Sequence, residues 1–169
     1  DALLADPGID ADYIPLPNHL HVDWTVKALE AGKHVLCEKP MALQADQIDR
    51  VIAARDAAGL LAAEAFMIVH HPQMARARQI VADGTLGRIR HVNVTFSFFN
   101  DDTDNIRNQA DAGGGGLPDI GIYAFGSVRF ITGQEPQKIT HAKIDYENGV
   151  DVFAQVAASF DGFDYAATV

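Results

Sequence analysis

Short apolar runs alternate with amphipathic stretches over the first third of the chain. Val22, Val26 and Leu29 recur at helical spacing and lead to Gly32. His34-Val35-Leu36-Cys37 then forms a compact apolar run that stops abruptly at Glu38-Lys39-Pro40. This reads as a helix, a tight turn and a buried strand. The same reading gives strands over 10–14, 34–37 and 60–66 and helices over 21–31 and 43–58, the second with Ile48, Val51, Ile52 and Arg55 facing inward or along its seam. Strands alternating with helices predict βαβ crossovers and a parallel sheet. Residues 1–7 read as the middle of a helix and its exit.

Near Met67 the pattern changes. A helix over 72–82 ends at Asp83-Gly84, and then Val92, Val94, Phe96 and Phe98 alternate with Asn93, Thr95 and Ser97, the period of a strand with one buried face. A polar loop over 101–104, the glycine run from Gly113 to Gly116 and a helix over 119–132 follow. Strands over 137–145, 151–160 and 162–169, separated by Glu147-Asn148-Gly149 and Asp161-Gly162, predict antiparallel hairpins. The expected fold class is therefore α/β plus α+β. Residues 1–66 are the later part of a Rossmann-like domain, and residues 67–169 an open, mainly antiparallel sheet with helices. One face of that second sheet is expected to lack helices and to serve self-association, giving a dimer or tetramer.

The abrupt end of the 34–37 run gives Lys39 a chemical opportunity, because ligands of open α/β sheets sit outside the carboxyl ends of the strands. A lysine there offers a cation and three hydrogen-bond donors, whereas its plainer reading is a solvated charge after an ordinary strand. Asp119 and Tyr123 are four residues apart, so on a helix they share a face. Asp119 equally suits a helix N-terminus and Tyr123 a core. The turn Pro15-Leu16-Pro17-Asn18-His19-Leu20-His21 lies between a strand and a helix, so Asn18 either caps that helix or faces a ligand. His19-x-His21 and His70-His71 lack the further ligands of a metal site, and none is expected.

Composition narrows the class. With 48% hydrophobic and 21% charged residues the chain is globular in character, and no apolar run approaches the roughly 20 residues of a membrane helix. A formal charge of −10 argues against a nucleic-acid surface. The single Cys37 excludes a disulfide within the chain and agrees with a reducing, cytoplasmic setting.

Read together and in order, Tyr13 to His21, Glu38-Lys39-Pro40 and Gly113-Gly114-Gly115-Gly116-Leu117-Pro118-Asp119-Ile120-Gly121-Ile122-Tyr123 resemble the Gfo/Idh/MocA family of nicotinamide-dependent oxidoreductases. The Asp-x-Gly-x-Tyr form is similar to the branch with glucose-fructose oxidoreductase, dihydrodiol dehydrogenase and xylose dehydrogenase. The resemblance implies hydride transfer between NAD or NADP and an alcohol carbon of a sugar, polyol or related hydroxy compound. It implies catalytic roles for Lys39, Asp119 and Tyr123, and a cofactor lining by Pro17, Asn18, His21, Glu38 and Lys39. Arg107 and Asn108, in Asn105-Ile106-Arg107-Asn108, are placed to meet substrate hydroxyls, although a turn built by asparagines is the plainer account. Two departures stand out. No strand, Gly-x-Gly-x-x-Gly turn and helix opens this stretch, so we expect an internal portion of a longer protein, with the residue that selects NAD or NADP outside it. Phe66-Met67 runs into Ile68-Val69-His70, where relatives often carry arginine.

Overall fold

In the computed structural model, which describes residues 2–169, the chain divides into two compact units. One comprises everything up to Phe66 together with Asp111–Gly113, and the other comprises Met67–Ala110 and Gly114–Val169.

The first unit is a three-stranded parallel sheet in the order β1-β2-β3, formed by β1 (Ala11–Ile14), β2 (His34–Glu38) and β3 (Ala62–Ala65). A short α1 (Ala2–Ala5) precedes it, and α2 (His21–Glu30) and α3 (Ala45–Ala58) connect its strands. Gly32, at a φ of 79°, reverses the chain between α2 and β2, a conformation that costs glycine least. The third helix begins at Ala45 rather than 43, because Gln44 is its N-cap and the Gln47 side chain accepts from the amides of Leu43 and Gln44. Val51 of this helix is buried, whereas Ile52 is 39% exposed and so does not belong to the inward face. Ile14, Val22, Leu29, Val35, Cys37 and Val51 form the core between sheet and helices.

The second unit contains α4 (Pro72–Ala82), β4 (His91–Thr95), α5 (Ile122–Thr132), β5 (Lys138–Glu147), β6 (Val150–Phe160) and β7 (Phe163–Thr168). Its sheet runs β4-β7-β6-β5, with β4 parallel to β7 and the remaining pairs antiparallel. The hairpin turns fall where expected, with Asn148, Gly149 and Gly162 at positive φ. The expected strand over 92–98 is shorter than its alternation suggested. Its ladder ends with the Phe96 amide on the Thr168 carbonyl, 3.0 Å away, and Phe98 and Phe99 are exposed. The expected helix over 119–132 starts earlier: Leu117–Gly121 winds as a wide π-turn that runs into α5.

Alternate residues of β6 and β7 (Ala154, Ala158, Phe160, Phe163, Tyr165 and Ala167) pack against Ile120, Ala124 and Val128. The fully buried Tyr165 donates its hydroxyl to the Ala124 carbonyl at 2.8 Å, which ties the sheet to α5. Burial pushes its phenol up to about 12 from an ordinary 10. An unfolded tyrosine ionises from about pH 10, whereas the folded one keeps its proton until about 12, so this contribution is complete below pH 10 and disappears as pH rises through the higher value. Tyr165→Phe should lower stability by about 1 kcal/mol in denaturant titrations near neutrality and flatten the loss of stability above pH 10. An unchanged midpoint at both pH values would contradict this role.

Candidate active site

At the carboxyl edge of the parallel sheet two turns meet. The turn after β1 carries Leu16, Pro17 and Asn18, and β2 ends at Glu38, with Lys39 and Pro40 on the turn that follows. His21 joins them: its ring is 1% exposed, with Nδ1 at 2.7 Å from the Pro40 carbonyl and Nε2 at 2.7 Å from the Leu16 carbonyl. Both ring nitrogens are therefore engaged by backbone, and the expected cofactor contact of His21 gives way to a structural one. Asn18 does not cap α2 either. Its amide donates to the Gly113 carbonyl at 2.9 Å, and a Cβ on Gly113 would come within 2.6 Å of Leu43. Gly113 also sits at a φ of 77°, a conformation that costs glycine least.

Glu38 and Lys39 are both half-buried at the end of β2. Glu38 accepts the Tyr13 hydroxyl on Oε1 at 2.5 Å and the Lys39 amide on Oε2 at 3.2 Å. The bond to the Glu38 carboxylate holds the Tyr13 phenol above its ordinary range. The Met41 amide donates to Glu64 Oε1 at 2.8 Å. Cys37, directly before Glu38, is fully buried, and burial pushes its thiol up to about 11, so it is no nucleophile near neutrality.

The candidate residues of the second unit cluster around the π-turn. Arg107 donates from Nε to Asp119 Oδ2 at 2.7 Å, and Asp119 is the more buried partner. Together with Asn108, Asp151, Phe98 and Phe153 they line a cavity of about 210 Å³. Asn108 reaches the carbonyls of Asn100 and Asp102 with its amide, and Asn105 accepts from the Arg107 amide. The asparagine-built turn therefore forms here, with the Asn108 amide bracing the loop. Tyr123 is half-buried beside the Phe96 ring, with centroids 5.6 Å apart, and lines a hollow with Met67, His71 and Met74. His71 caps α4 by accepting from the Gln73 amide.

Three contributors escaped the sequence reading. Asp151, 8% exposed on β6, accepts the Leu117 amide at 2.6 Å and so holds the N-terminal end of the π-turn. The carbonyl of Arg107 and the Asp151 carboxylate stand where side chains on Gly114 and Gly115 would go, which accounts for glycine at both positions. Nothing local links Asp151 to Leu117. Glu64 did carry a signal, as the one charged residue in an otherwise apolar run, whereas Tyr13 stood out only as the start of the Tyr13 to His21 stretch.

Comparison with known proteins accounts for both halves. Residues 74–168 match the GFO/IDH/MocA C-terminal domain, and residues 1–66 match the oxidoreductase family with NAD-binding Rossmann fold. The chain belongs to the Gfo/Idh/MocA family. It is 43% identical to an uncharacterized oxidoreductase, ORF334, from Rhizobium meliloti, across 100% of this chain and 51% of that protein. It is 40% identical to D-xylose 1-dehydrogenase (NADP(+)) 2 of Haloferax volcanii, across 95% of this chain and 50% of that protein. KijD10, a 3-ketoreductase from Actinomadura kijaniata solved with NADP and TDP-benzene, matches with a TM-score of 0.91 at 36% identity, across 99% of this chain and 52% of its own. The chain thus spans about half the length of the curated relatives it matches. Among the described residues, no helix is long and apolar enough to cross a membrane.

Proposed function

We propose that the protein containing this chain is an NAD(P)-dependent oxidoreductase acting on a carbinol or keto carbon of a sugar, polyol or related hydroxy compound, with Lys39 and Tyr123 as its catalytic pair. The observation that carries the assignment of the pair is a spacing. Solved variants of KijD10 replace a lysine in one case and a tyrosine in another, at the same separation along the chain as Lys39 and Tyr123. The domain division at residue 66 belongs to the same reading, with the parallel sheet holding cofactor and the mixed sheet supporting substrate. Residues at the carboxyl edge of the parallel sheet suit a dinucleotide: Pro17 and Asn18 on one turn, Glu38 and Lys39 on the next.

When bound, the nicotinamide supplies the ring carbon that accepts or donates the hydride. The Lys39 ammonium donates hydrogen bonds to the reacting oxygen and favours its developing negative charge. The Tyr123 phenol exchanges the proton with that oxygen, provided a neighbouring positive charge lowers its ordinary value of about 10. Asp119, tied to Arg107 at 2.7 Å, fixes the guanidinium beside the cavity, where Arg107 offers its remaining donors to substrate hydroxyls.

The assembly is a homo-oligomer in this reading. One face of the mixed sheet carries small or polar residues such as Asn93, Thr95, Ala157, Ser159 and Ala166, opposite the side that packs on α5. Sedimentation of the complete protein should give a dimer or tetramer, and a strict monomer at micromolar concentration would remove this element.

In the complete protein, Tyr123→Phe should lower kcat by roughly 10²–10⁴ and leave cofactor affinity near the parent value. Lys39→Ala should lose at least as much, and the double variant far less than the product of the two losses. Rates on a panel of aldoses and polyols, with fluorescence titration of the cofactor, decide it. Near-parental turnover of Tyr123→Phe on the best substrate would defeat the assignment.

A further inference from the structure

The backbone that presents Lys39 is pinned by side chains from three other elements. Beyond β2 the peptide groups leave the parallel ladder, and each must find another partner. The Lys39 amide donates to Glu38 Oε2 at 3.2 Å, the buried Pro40 carbonyl meets the His21 ring at 2.7 Å, and the Met41 amide donates to Glu64 Oε1 at 2.8 Å. Tyr13, from β1, holds the second oxygen of Glu38 at 2.5 Å. Glu64 belongs to β3, where it lies in register with Cys37, and His21 opens α2. The turn is thus tied to β1, α2 and β3, and His21 extends the tie to the Leu16 carbonyl on the neighbouring turn.

Such a cradle does more than satisfy polar groups. A flexible lysine stem reaches a reacting atom reproducibly only when its Cα is fixed, and a displacement of about 1 Å at a reacting group costs up to about 10²-fold in rate. From this geometry we infer that Glu64 and His21 are positioning residues for Lys39, acting through the backbone of Pro40 and Met41 and touching neither substrate nor cofactor. The inference rests on the catalytic reading of Lys39 above. Glu64 is the better handle, because it is half-buried and its bond from the Met41 amide uses an acceptor that glutamine also possesses.

The test is a double-mutant cycle in the complete enzyme, read by single-turnover rates, with amide exchange at Met41 as a second readout. Glu64→Ala should lower the rate by up to about 10²-fold in the parent while changing KM little, and should lower it no further in the Lys39→Ala background, where no ammonium is left to position. Glu64→Gln should restore both the rate and the protection of the Met41 amide. If Glu64→Ala does not fold, Glu64→Asp, which withdraws the acceptor by one methylene, takes its place. Equal losses in the two backgrounds, no loss at all, or a Met41 amide whose exchange ignores residue 64 would overturn the inference. An active Lys39→Ala enzyme would instead overturn the catalytic reading, and the exchange measurement would still decide whether Glu64 holds the turn.

Discussion

The exit of β2 from its sheet is the constraint on which the rest of the first unit depends. A parallel strand satisfies its backbone within the ladder, but the residues that follow it must bond elsewhere or pay a desolvation penalty of about 1–3 kcal/mol for each buried group left alone. Glu38, His21 and Glu64 supply those bonds, which accounts for a charged residue, Glu64, in the otherwise apolar β3. His21 in particular is a buried imidazole with a carbonyl at each ring nitrogen, 2.7 Å away on both sides. A neutral ring donates to one of these, and only the doubly protonated ring donates to both. Sequence chemistry becomes site geometry at this point, because the same contacts that close the fold also fix where Lys39 begins.

The second unit solves a parallel problem with different means. Asp119 and Tyr123 lie on or beyond a π-turn, a wide winding that recurs at functional sites. Asp151 holds the first amide of that winding, that of Leu117, from β6, while Gly114 and Gly115 let the chain pass against Asp151 and the Arg107 backbone. At the far side Tyr165 anchors α5 to the sheet through the Ala124 carbonyl. Asp119, the partner of Arg107, is therefore mounted on a segment braced at both ends.

Most of this architecture was legible in the sequence, for identifiable reasons. The strands of the parallel sheet are apolar runs bounded by Gly32, Gly59 and Pro40, and the hairpins are marked by Asn148-Gly149 and Gly162, signals that depend only on neighbouring residues. The motifs naming Lys39, Asp119 and Tyr123 were equally visible. What failed was whatever depends on contacts distant in sequence. The alternation that carried the strand on to Phe98 cannot reveal where β7 ceases to pair with it, and His21 carries no mark that distinguishes a ligand-facing ring from one locked between two carbonyls. The asparagine-built turn, by contrast, was legible, since the partners of Asn108 at Asn100 and Asp102 lie close by in the chain.

The proposed activity is hydride transfer between a nicotinamide and a carbinol carbon. It is tested most directly by following the transferred hydrogen itself. Aldoses and polyols deuterated at the carbinol carbon would be incubated with the complete protein and NAD or NADP, and the reduced cofactor examined by mass spectrometry. Deuterium is expected on the nicotinamide ring, one atom for each turnover. A folded, cofactor-binding protein that transfers no deuterium from any member of the panel would contradict it.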